Sequence, residues 1–136
     1  MVEPSALHTA TLARLKTLTT LAVYDGDVPP SPPADSQGRV YPYAVLWPAS
    51  GVAPLEQAVD AVAVGTDWMC QVTVAAGDPS WVLPAVQKVR QVLAGWSPAE
   101  GAVLTEETPR SVTVLRDDDV TPKRWFMPLQ FGCLTP

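Results

Sequence analysis

The sequence predicts an α+β domain: a mainly antiparallel sheet with two helices packed on one face. Three observations carry that prediction. Apolar residues recur at helical steps near residues 5–21 and 79–95. They alternate at a period of two across 67–76 and 125–133. The order along the chain is helix, strand, hairpin, helix, then two or more strands, in which consecutive strands pair and the helices cover one side. The 136 residues are expected to form a single domain, 1–136, and contain no internal repeat.

The first helix is placed at 5 to about 21, with Ser5 as N-cap and Leu7, Leu12, Leu15, Leu18 and Ala22 as its apolar stripe. From Tyr24 to Pro42 the periodicity vanishes. Asp25-Gly26-Asp27 reads as a turn, and Val28-Pro29-Pro30-Ser31-Pro32-Pro33 favours polyproline II, so 25–42 is expected to be a long Pro-rich arm before the first strand. Tyr43–Trp47 is that strand, stopped by Pro48.

Residues 59–64 and 67–76 are expected to form a hairpin around Gly65-Thr66, with Trp68, Cys70, Val72 and Val74 on its drier face. Asp78-Pro79 supplies an N-cap and a first-turn proline for a second helix. Val82, Val86, Val89 and Leu93 form its stripe, and Gly95 closes it. Pro84 is expected to delay or bend that helix. Val112 and Val114 alternate with Ser111 and Thr113 as a strand, and Trp125, Met127, Leu129, Phe131 and Cys133 form one apolar row. Pro128 places that last strand at an edge or at a bulge.

The chain carries a net charge of −5, 47% hydrophobic residues, 15 prolines and only 17% charged residues. It is too apolar for a disordered chain and too acidic to wrap nucleic acid. Charges are too few to coat a free monomer comfortably, so other subunits are expected to cover part of the surface. No apolar run reaches the roughly 18 residues of a membrane-spanning helix. Met1-Val2-Glu3-Pro4 lacks the basic and apolar regions of a secretory signal, which leads to the expectation of a cytoplasmic protein. Cys70 and Cys133 read as small buried hydrophobes, and no metal or cofactor is expected.

An enzyme reading finds little to build on. His8 is the only histidine and is expected to be solvated on the first helix. No phosphate-cradling glycine loop is present, and Ser50-Gly51 lacks the preceding glycine of a nucleophile elbow. The one local cluster is Arg116-Asp117-Asp118-Asp119 with Lys123-Arg124. It reads as a solvated turn, as an inter-subunit charge contact, or as a hard-cation site at the centre of a divalent-metal enzyme. Of the five tryptophans, Trp96 and then Trp81 are the candidates for anchoring a partner.

Several segments together resemble one family. They are Val23-Tyr24-Asp25-Gly26-Asp27-Val28-Pro29 after a leading helix, Tyr43-Ala44-Val45-Leu46-Trp47, Gln71-Val72-Thr73-Val74 leading into Ala85 to Gly95-Trp96, and Arg116-Asp117-Asp118-Asp119-Val120-Thr121-Pro122 before an aromatic strand. The chain resembles the tail terminator, or tail-completion, proteins of long-tailed actinobacteriophages, similar in role to the lambda-type terminator. The resemblance implies a homo-oligomer, typically a hexameric ring. Such a ring caps the tail tube, ends its growth and presents the head-joining surface. The implied partners are the major tail tube protein and head–tail connector proteins. DNA would pass through the channel without specific binding, and no membrane would be involved. The implied place is the virion tail, after assembly in the host cytoplasm. On this reading Pro29, Pro30, Pro32, Pro33, Arg39, Trp96, Arg116, Asp117, Asp118, Asp119, Lys123 and Arg124 are expected at inter-subunit or tube contacts. Another neck or connector protein, a metal-dependent enzyme, and an adaptor acting through the proline run remain the alternatives.

Overall fold

The first helix starts where the chain can begin one cheaply. In the computed structural model, which describes residues 2–52 and 65–136, α1 spans Pro4–Leu15. Pro4 stands in its first turn, where the fixed φ suits a helix and the missing N–H has no partner to lose. Glu3, not Ser5, is the N-cap, and it makes no side-chain cap. Leu7, Thr11 and Leu15 face inward, and the Thr11 hydroxyl is satisfied by the Leu7 carbonyl at 2.7 Å. The helix is shorter than the 5–21 expected. Thr17 and Leu18 donate to the carbonyls of Arg14 and Leu15, three residues back, which tightens the last turn. The threonine-rich run 17–20 has little propensity to carry the helix further.

The stripe residue Ala22 instead opens a strand. β1 (Ala22–Asp25) pairs in parallel with β2 (Tyr43–Trp47), Ala22 opposite Tyr43 and Asp25 opposite Leu46. A parallel pair needs a crossover of a dozen residues or more, and 26–42 supplies it. β2 pairs antiparallel with β3 (Asp67–Ala76), and β3 with β6 (Arg124–Leu134) over its whole length. On the far side of β6 lie β5 (Leu115–Asp117), against its beginning, and β4 (Thr105–Glu106), against its end. The sheet is six-stranded and all its pairings except β1–β2 are antiparallel. The expected hairpin partner 59–64 lies outside the described residues.

The period-two alternation sorts these strands into two faces. Ala44 and Leu46, Trp68 to Ala76 at even positions, and Met127, Leu129, Phe131 and Cys133 join the stripes of α1 and of α2 (Pro79–Leu93) in one core. Trp68, Val72, Val74, Leu129 and Phe131 retain no accessible surface. Burying side chains of this size contributes roughly 1.5–3 kcal/mol each. Both helices therefore cover one face, as predicted. Cys70 and Cys133 are buried and unbonded.

α2 begins as expected: the Asp78 side chain accepts the Ser80 N–H at 2.9 Å. It runs from Pro79 without the delayed start, and Pro84 stands inside it on the exposed side. Gly95, at φ +80°, ends it by donating to the Leu104 carbonyl at 2.8 Å. Pro128 stands at a local edge, as expected, and not at a bulge: β6 is in continuous register with β3, and on its other side it is flanked only near its beginning and its end. Gln130 directs its N–H to the Thr108 hydroxyl and its carbonyl to the Glu107 N–H. By alternation Pro128 points its nitrogen to that same side, into the gap between β5 and β4, where no ladder donor is needed. The expected strand around Val112 and Val114 is irregular chain, with both side chains half-buried against the core.

Candidate functional site: the helix-free face of the sheet

The face turned away from the helices is built by the other half of each alternation. Tyr43, Val45 and Trp47 come from β2, Met69, Gln71, Thr73 and Ala75 from β3, and Arg124, Phe126, Pro128 and Gln130 from β6. Among the described residues only a small satellite cluster covers it: Val40, Tyr43, Val45 and Ala75, flanked by Tyr24, Val28 and Phe126. Trp47 and Met69 remain 38% and 45% exposed. Between Asp67 at one end and Arg124 at the other, the face of β2, β3 and β6 carries no charged residue. The shortage of charge evident in the composition is therefore concentrated on this surface.

At the Arg124 end the face sinks into a hollow of about 350 Å³. Ala75 lies beneath it, between Tyr43 and Phe126 in the ladder, and its methyl group leaves the space that larger neighbours enclose. Val28 borders the hollow from the β1–β2 crossover, and Asp117 and Val120 border it from the turn before β6. Arg124 is 8% exposed. Its Nη1 donates to the Tyr43 hydroxyl at 2.9 Å, its Nε reaches the Pro122 carbonyl at 3.4 Å, and its guanidinium lies 5.8 Å from the Tyr43 ring centre. Among the described residues no carboxylate lies within 4.0 Å of it. Arg39, Arg90 and Arg116 each have such a partner. Asp117 is opposite Arg124 in register, yet its Oδ1 accepts the Asp119 N–H at 3.1 Å. Trp47 Nε1 donates to the Thr73 hydroxyl at 2.9 Å, which fixes one wall.

The expected contact residues are dispersed. Asp117 and Arg124 line the hollow. Arg116 stands on the opposite face of β5, pairs with Asp118 at 2.6 Å and packs over Trp125. The Asp117 and Asp118 carboxylates thus have different partners, the Asp119 N–H and Arg116. Among the described residues no three His, Cys, Asp or Glu side chains gather as a metal site. Lys123 is exposed. Trp96 is half-buried against the core, with the Arg14 guanidinium 5.6 Å from its ring centre.

The 25–42 segment is anchored along its later part. Pro29, Pro30 and Pro33 are exposed, but Pro32 and Val40 are buried. Ala34 and Val40 bridge antiparallel, and Gly77 donates to the Val40 carbonyl at 2.8 Å, where a Cβ would collide with the Arg39–Val40 backbone. Arg39 joins Asp35 at 2.8 Å to Asp78 at 3.2 Å and lies over the Trp81 ring at 4.6 Å, while Tyr41 stacks on that ring. Burial raises the Asp35 carboxyl, but hydrogen bonds from Arg39 and the Gln37 N–H outweigh it and hold it below its ordinary value. The Ser80 hydroxyl and N–H, with Arg39 assisting against a smaller burial effect, lower Asp78 likewise.

His8 is not the solvated histidine expected. Its side chain is 15% exposed, and Nε2 lies 2.7 Å from Asp25 Oδ1, joining α1 to the end of β1. The aromatic residues of the hollow, Tyr43, Trp47 and Phe126, were not among the expected site residues. A signal existed in Tyr43–Leu46, where four consecutive apolar residues announce a strand with both faces dry.

No protein-family model matches this chain, and no curated protein is similar to it in sequence. Among the described residues no helix is long and apolar enough to cross a membrane.

Proposed function

We propose that this chain is a structural subunit of a phage tail, a tail terminator whose copies close into a ring on the end of the tail tube. The observation that carries the reading is the helix-free sheet face, charge-poor and with Trp47 and Met69 exposed, which the described residues of one subunit cover only in part. The architecture, with both helices on one side of a mainly antiparallel sheet, leaves the opposite side for contacts between subunits. Further support comes from the sheet's two margins. β1 ends it on one side, and short β4 and β5, with the gap at Pro128 between them, end it on the other. Two unlike edges on one subunit suit head-to-tail contacts, which generate a ring when the rotation closes.

The partners on this reading are further copies of the chain, the tail tube protein and the connector proteins. DNA passes a collar of net negative subunits without being held. The virion tail is the corresponding location. Native mass and negative-stain images of the concentrated protein test the proposal: closed rings of one size are expected, and a strict monomer that leaves tubes uncapped contradicts it.

A further inference from the structure

We propose that the Arg124 hollow is a binding site for an extended segment of a partner protein, one that carries an Asp or Glu carboxylate and, two residues along on the same face, a large apolar side chain. This inference does not depend on the ring. A guanidinium withdrawn from water is costly to leave without a countercharge, yet Arg124 has only the Tyr43 hydroxyl and the distant Pro122 carbonyl as acceptors among the described residues. A guanidinium presents five N–H donors in a planar fork suited to a carboxylate, and among the described residues Nη2 has no acceptor. Tyr43, Trp47, Val45 and Phe126 offer the apolar companion surface. The hollow lies at the small end of the range for ligand sites, with mostly apolar walls and a few polar side chains, Arg124, Asp117, Gln71 and Thr73.

The shape selects a chain over a compact molecule. A second depression of about 280 Å³, which includes Met69 and Gln130, shares Trp47 and Gln71 with the first. The two form one track along β3 that a strand-like segment would follow, its carboxylate seated at Arg124 and the side chain two residues along, on the same face, beside Trp47. Asp117 borders the hollow as a like charge and disfavours the carboxylate, so its removal should strengthen binding.

The test is an amide-resonance titration of the full chain with the capped peptide acetyl-Ala-Glu-Ala-Phe-Ala-amide and its Gln counterpart. Saturable shifts confined to the hollow are expected with the Glu peptide, and binding about tenfold weaker with the Gln peptide and in Arg124→Gln. Trp47→Ala, at an exposed site that spares the core, should also weaken binding should Arg124→Gln fail to fold. Asp117→Asn should bind as well or better. Three results overturn the proposal: equal binding of both peptides, loss of binding in Asp117→Asn with retention in Arg124→Gln, or saturation of the hollow by self-association of the protein alone.

Discussion

The Arg124 guanidinium meets the Tyr43 hydroxyl at 2.9 Å across a sequence separation of 81 residues, spanning the strand that lies between theirs. Ala75 makes the meeting possible, because any larger side chain at that rung would stand between them. Tyr43→Phe removes the acceptor and leaves the cation buried. It should destabilise the protein by about 1–3 kcal/mol. The check is urea unfolding, in which the midpoint should fall with an unchanged slope.

Arg90 holds Glu106 with two parallel hydrogen bonds of 2.8 and 3.0 Å, the attachment of β4 to α2. Arg90→Lys cannot reproduce that fork. A double-mutant cycle between Arg90 and Glu106 should give a coupling of about 1 kcal/mol, since the pair is only part-buried. A coupling of zero would remove the pair from the account of β4.

Acid should release the 34–40 turn before the core. Asp35 and Asp78 have carboxyls held below their ordinary value of 3.8, so their contribution is present above that value and is lost as the pH falls through the lowered ones. Fluorescence of Trp81, which packs under Arg39 and Tyr41, should change in that range while the far-ultraviolet dichroism holds. Asp35→Asn should show the released signal at neutral pH.

The two thiols should be silent in the native protein. Burial, reinforced by the neighbouring Cys133, pushes the Cys70 thiol up to about 12, and burial also raises Cys133, with Asp67 and Glu107 adding to it. Neither should react with a disulfide reagent at pH 8 until denaturant unfolds the chain, both then reacting together. The linkage has a definite sign: the stability due to Cys70 is present below the ordinary thiol value of 9.0 and is lost as the pH rises toward 12.

Strands whose alternation is long were legible from sequence. β3 and β6 are there in the rows Trp68–Val74 and Trp125–Cys133, and burial alternates with the pattern through Trp68–Val74 and Met127–Phe131. β1 was hidden because Ala22 continues the spacing of the Leu15–Leu18 stripe, and four residues are too few to show a new period. Only pairing with β2, some twenty residues on, distinguishes that strand from the last turn of a helix. Pro128 was legible as a local edge, because proline demands a missing neighbour on one side, but sequence does not reveal that β4 and β5 flank that gap on a strand otherwise inside the sheet.

The site divides along the same line. Asp117 and Arg124 stood out as charges in an apolar chain. That they share a hollow with Tyr43 and Trp47 depends on the register of three strands distant in sequence, which no local pattern encodes. Arg39 and the proline run stood out as well, but Asp78 and Gly77 bind them to the domain's own body.

The central claim is that this subunit stops a tube from growing. The most direct measurement is the length and end structure of tail tubes polymerised from the tube protein with and without this chain, imaged in negative stain. The account predicts short tubes of narrow length distribution, each with a collar at one end, when the chain is present. Unchanged lengths with bare ends at saturating protein would contradict it.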